Sequence, residues 1–111
     1  MDNIFKYSFD DEPVNRFSYD FINKKLEIYF SGYYENESLI ENPCVFVIKN
    51  WQEAKCKVGD EEQYYSLNSQ LGIFSIILNM KLERNTLTML VNTLDNRYLE
   101  LYFKEAELSL E

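Results

Sequence analysis

Phe74-Ser75-Ile76-Ile77-Leu78-Asn79-Met80-Lys81-Leu82 is the stretch that decides the fold. Phe74, Ile76, Leu78, Met80 and Leu82 alternate with Ser75, Ile77, Asn79 and Lys81, the period of two of a strand with one buried face. Arg84-Asn85 breaks the run, and Leu87, Met89 and Val91 then alternate with Thr86, Thr88 and Asn92. After Asp95-Asn96, Leu99, Leu101 and Phe103 alternate with Tyr98, Glu100, Tyr102 and Lys104. Three such runs joined by short polar turns predict a β-meander.

The same texture extends toward the N-terminus. Phe5, Tyr7 and Phe9 form a run that Asp10-Asp11-Glu12-Pro13 ends as a turn. Phe17, Tyr19 and Phe21 form a second, closed by a hairpin loop at Asn23-Lys24-Lys25. Leu26, Ile28 and Phe30 form a third, ending near Gly32-Tyr33-Tyr34, and a polar loop then runs from Glu35 to Asn42 before Pro43. Cys44-Val45-Phe46-Val47-Ile48 is apolar on both faces, as a central strand requires, whereas the lysines between Ala54 and Val58 suit an edge. Asp60-Glu61-Glu62-Gln63 resembles a capping box, with Tyr64, Leu67 and Leu71 at helical spacing and Gly72 at the C′ position. One short helix over 61–71 is expected, although Tyr64 to Leu67 also fit a strand. The expectation is a single mainly β domain over 1–111, an antiparallel sandwich or small barrel of about seven or eight strands.

Composition narrows the function. With 46% hydrophobic residues and 16% aromatic, the chain has the material for its own core. It carries no histidine, so Ser-His-Asp and Cys-His chemistry lose their general base. Gly32, Gly59 and Gly72 are isolated and form no phosphate loop. Neither Asp10-Asp11-Glu12 nor Asp60-Glu61-Glu62 has calcium-site spacing. The expectation is a protein that is not an enzyme and takes no metal or cofactor.

Nineteen acids against eleven bases give a formal charge of −8, a field that repels nucleic acid and anionic membrane and favours a basic partner. Met1 to Phe5 open no signal peptide and no apolar run, Ile76-Ile77-Leu78 included, approaches the ~20 residues of a membrane helix, so a cytoplasmic location is expected, with Cys44 and Cys56 as free thiols. The adjacent pairs Tyr33-Tyr34 and Tyr64-Tyr65 must each turn one ring away from the core if they lie in strands. Both pairs stand beside acids, which makes two candidate partner-binding segments: Asp60, Glu61, Glu62, Tyr64 and Tyr65 first, and Tyr33, Tyr34, Glu35 and Glu37 second.

Leu26 to Glu35, Pro43-Cys44, and Val47 to Lys55 with its I-x-N-W-x-x-A run (Ile48, Asn50, Trp51, Ala54) carry a resemblance. These residues look like small all-β immunity proteins of bacterial polymorphic-toxin systems, including those paired with contact-dependent growth-inhibition toxins. The resemblance implies a cytoplasmic protein that binds a cognate toxin domain, such as a nuclease with a basic cleft, and occludes its active site. It assigns no interface residue, and it implies a structural role for Trp51 and Ala54. Two other classes fit the composition: a general protein-interaction subunit, and a small-molecule or carbohydrate-binding β-domain that uses Trp51 and the tyrosines as a stacking platform. Far-ultraviolet circular dichroism should show mainly β-structure with little helix; a helix-dominated spectrum would overturn the period-two reading.

Overall fold

The computed structural model describes residues 6–111, so Phe5, like the rest of Met1 to Phe5, lies outside the described residues. The chain is mainly β, as its periodicity predicts, with one short helix. A five-stranded antiparallel sheet holds the meander β9 (Phe74–Glu83), β10 (Thr86–Thr93) and β11 (Tyr98–Lys104), flanked by β2 (Glu12–Pro13) and β8 (Glu53–Val58). A four-stranded sheet runs in the order β12 (Glu107–Leu110), β7 (Cys44–Lys49), β4 (Lys25–Phe30), β3 (Arg16–Asp20). A small third sheet joins β1 (Tyr7–Ser8), β5 (Tyr33–Glu35) and β6 (Ser38–Ile40).

The two larger sheets share one core. Leu26, Ile28 and Phe30 of β4 and Phe46 and Ile48 of β7 meet Leu87, Met89, Val91, Leu99, Leu101 and Phe103 of the meander. The layers are joined along one side by a corner. Val14 N–H donates to Ser75 C=O in the five-stranded sheet at 2.9 Å, and the next residue, Asn15, donates to Tyr29 C=O in the four-stranded sheet at 2.8 Å. The architecture is therefore a sandwich whose sheets are stitched at β2 and β3.

Twelve strands among the described residues exceed the seven or eight expected, for identifiable reasons. β1 and β2 have two residues each, too few to show a period. The polar segment from Glu35 to Asn42 is half of a hairpin, not a loop: β5 and β6 pair through a two-residue turn with φ of 50° at Asn36 and 69° at Glu37. That is the type I′ geometry that suits strand twist, built here without its usual glycine. The Ala106–Glu111 tail supplies β12, which covers the edge of β7 and makes Cys44–Ile48 the central strand its composition called for.

Two other expectations are corrected. In β9 the register shifts twice, so Phe74 and Ile77 are buried while Ile76 and Leu78 are not. Bulges of this kind re-aim side chains without changing composition. The helix α1 covers only Leu67–Gln70, with Ser66 as N-cap and no side-chain cap, so Asp60 to Gln63 form no capping box. Tyr65 instead exchanges both backbone hydrogen bonds with Cys56, at 2.8 and 2.9 Å, covering part of the β8 edge. Gly72 does occupy the C′ position after the C-cap Leu71, but without the positive φ of a left-handed C′ glycine. A Cβ there would stand 2.5 Å from Arg97 Nη2, the far end of a flexible side chain that can shift aside.

No helix among the described residues is long and apolar enough to cross a membrane. Phe9 is fully buried, stacked on Phe30 at 4.4 Å and Phe46 at 4.8 Å between ring centroids, and seals the core beneath the small sheet. Phe9→Ala should therefore cost about 3–5 kcal/mol in urea unfolding. Ile22→Ala, at a hairpin tip where the side chain is 80% exposed, should stay within about 0.5 kcal/mol.

Candidate functional site

Alternation sorts each tyrosine pair as a strand must. Tyr33 packs inward, edge-to-face on Tyr7 at 5.4 Å, while Tyr34 lies opposite Leu39, whose side chain is 50% exposed. Tyr65 packs against the core and Tyr64 turns out. The two candidate segments differ in their surroundings.

Around the first segment the acids are partly matched. The Tyr64 ring lies under the Lys55 ammonium at 4.2 Å and near that of Lys57 at 5.2 Å, and meets Tyr102 edge-to-face at 5.4 Å. Both lysines lie on β8, one position either side of the inward Cys56, so the outer face of this sheet edge is basic. Tyr65 Oη donates to Glu61 Oε1 at 2.6 Å, a bond that raises the phenol's pKa. Burial, then the hydrogen bond that Tyr102 donates to Glu100, raises the Tyr102 pKa well above its ordinary value. Residues 53–65 hold four acids and two bases, a formal −2.

The second segment gathers more charge than its own four residues. Pairing of β1 with β5 sets Tyr7 opposite Glu35, which brings the Asp10-Asp11-Glu12 turn to the small sheet. Gly32 sits where a Cβ would lie 3.7 Å from Glu12 Oε1 and 3.6 Å from Glu41 Cα, so Glu12 and Glu41 flank it. Residues 6–13 and 33–42 together hold six acids against Lys6 alone, a formal −5, and Lys6 is bound to Glu35 at 2.9 Å. Asp10 has a structural task, accepting the Met80 N–H at 2.9 Å, whereas Asp11, Glu37 and Glu41 are exposed. Desolvation, then the neighbouring Asp11, raises the Glu12 pKa. Spacing along the chain pointed to Glu35 and Glu37 but not to Asp11, Glu12 and Glu41, which only strand pairing brings in.

A third feature lies at the other end of β4 and β7. An open groove of about 330 Å³ is walled by Tyr19 and Phe21 at the end of β3, by Trp51 to Ala54, and by Ser66 to Asn68 at the start of α1. Trp51 is held between Phe103, at 5.1 Å, and Tyr19, nearly parallel at 6.3 Å. Lys24 Nζ donates to Trp51 C=O at 3.3 Å. Trp51 thus packs into the core, with part of it reaching the groove.

Among the described residues no three His, Cys, Asp or Glu side chains come together as a metal ion would need. Cys44 and Cys56 are free and buried. Burial, reinforced by Glu12, lifts the Cys44 thiol to about 11, and burial also raises Cys56. The folded chain holds these protons more tightly than the unfolded one. Their contribution is complete below the unfolded thiol value of roughly 8.5 and is lost as pH rises toward the folded one. The denaturation midpoint should accordingly fall between roughly pH 8.5 and about 11, less steeply in Cys44→Ala, because one raised thiol is gone. Iodoacetamide should label both cysteines after unfolding without reductant and neither in the native state.

No family model, curated protein or solved structure matches the chain.

Proposed function

We propose that this chain is an immunity protein: it binds a cognate toxin domain with a basic active-site cleft, such as a nuclease, and blocks it by occlusion. The observation that carries the reading is the acidic pole around the small sheet. There Tyr34 and the half-exposed Leu39 form an outward cross-strand pair, with Asp11, Glu12, Glu35, Glu37 and Glu41 on the surrounding segments. An aromatic and aliphatic centre inside a charged rim is the anatomy of a protein-binding patch. The sign of the rim suits a basic partner, and the resemblance of residues 17–57 to immunity proteins points the same way.

Charge and anchor have separable roles. Rim carboxylates speed encounter, and a desolvated aromatic slows release. Of the two candidate segments this favours the second, Tyr34, Glu35 and Glu37, where Lys6 is the one base near six acids, over Asp60, Glu61, Glu62 and Tyr64, whose ring already lies against the Lys55 and Lys57 ammonium groups.

The test uses the toxin domain encoded beside this chain's gene. Coexpression should relieve its toxicity. Glu37→Gly and Glu41→Ala should slow association and flatten its salt dependence. Glu37→Gly should do so without loss of thermal stability, because residue 37 already holds a φ of 69°. Tyr34→Ala should speed dissociation about thirtyfold, or ~2 kcal/mol. If replacing Asp60, Glu61, Glu62 and Tyr64 produces these effects instead, the interface is the other segment. If no neighbouring toxin is relieved, the function is wrong.

A further inference from the structure

We propose that the groove between the end of β3, the Trp51–Ala54 connection and α1 binds a neutral saccharide ring. Its volume of about 330 Å³ lies at the lower end of the ~300–1,000 Å³ of small-molecule sites. One wall is aromatic and largely fixed. Tyr19 is stacked on Trp51 and its Oη donates to Asn68 Oδ1 at 3.2 Å, tying β3 to α1 across the groove. Phe21 extends this wall to the mouth, where it is 53% exposed.

The groove also carries polar residues. Gln52 and Glu53, both exposed, line the groove. Asn68 accepts from Tyr19 and keeps its NH₂ to donate. Amide and carboxylate groups beside exposed ring carbon suit a ligand with an apolar face and an edge of hydroxyls, each both donor and acceptor.

Other ligand chemistries fit less well. An anion meets Glu53 and a net charge of −8, while Lys24 already donates to the Trp51 carbonyl. A purely apolar ligand would leave the polar groups of Gln52, Glu53 and Asn68 at the groove unused. The groove and the acidic pole lie at opposite ends of β4 and β7, so this proposal stands apart from the toxin-binding one.

Trp51 is the single tryptophan of the chain and lines the groove, so its fluorescence reports occupancy directly. The whole protein is titrated with neutral mono- and oligosaccharides, including glucose, galactose, N-acetylglucosamine and their short β-linked oligomers. At least one should shift Trp51 emission saturably. Phe21→Ala should abolish the shift and Glu53→Ala should weaken it about tenfold, both at wild-type thermal stability. Tyr34→Ala should leave it unchanged. The proposal is overturned if no neutral saccharide gives a saturable shift, if only anionic ligands do, or if binding survives both groove substitutions.

Discussion

Ring-on-ring contact across the interior is the constraint on which the two sheets depend. Phe17 of β3 stacks on Phe74 of β9 at 4.5 Å with planes 9° apart, and Trp51, between β7 and β8, leans on Phe103 of β11. Phe9, from neither large sheet, closes the stack with Phe30 and Phe46. These contacts join segments far apart in sequence, so they fix the sandwich rather than any one hairpin. Aromatic pairs in offset or tilted geometry contribute about 0.5–1.5 kcal/mol beyond the area they bury. They also set the spacing of the layers, because a ring cannot be shortened without leaving a cavity. The corner at Val14 and Asn15 needs that spacing, since consecutive N–H groups there serve opposite sheets.

The interior leaves the outer surface free to divide its chemistry. The small sheet carries a net excess of acid; the β8 edge carries lysines that lie on Tyr64; the groove carries aromatic carbon beside amides and a carboxylate. All three follow from alternation. Cys56 and Leu101 point in, so Lys55, Lys57 and Tyr102 point out together; Tyr33 points in, so Tyr34 meets Leu39 outside.

Much of this was legible in the sequence where one residue type dominated each face. The meander, the central position of Cys44–Ile48 and the lysine-marked edge at β8 all followed from period and composition. The bulges in β9 did not, because Ile76, Ile77 and Leu78 are all apolar and any of them could face the core. The β5–β6 hairpin was hidden because Asn36-Glu37 takes positive φ without a glycine to announce it. The helix is shorter than the 61–71 its pattern predicts because pairing of Tyr65 with Cys56 overrides a local capping pattern. In the candidate segments, the outward turn of one tyrosine per pair was readable. The lysines against the Tyr64 ring and the added acids beside Glu35 were not, since both depend on strand register.

The β5–β6 hairpin has an evolutionary consequence. Its register is held from within, by the packing of Tyr33 and by the two-residue turn, while Tyr34, Leu39 and Glu41 project from a scaffold that does not need their identity. Substitutions at those positions alter what the surface recognises with little effect on the core. A lineage of this fold can therefore change its binding preference by small surface steps, each passing through a folded and stable intermediate.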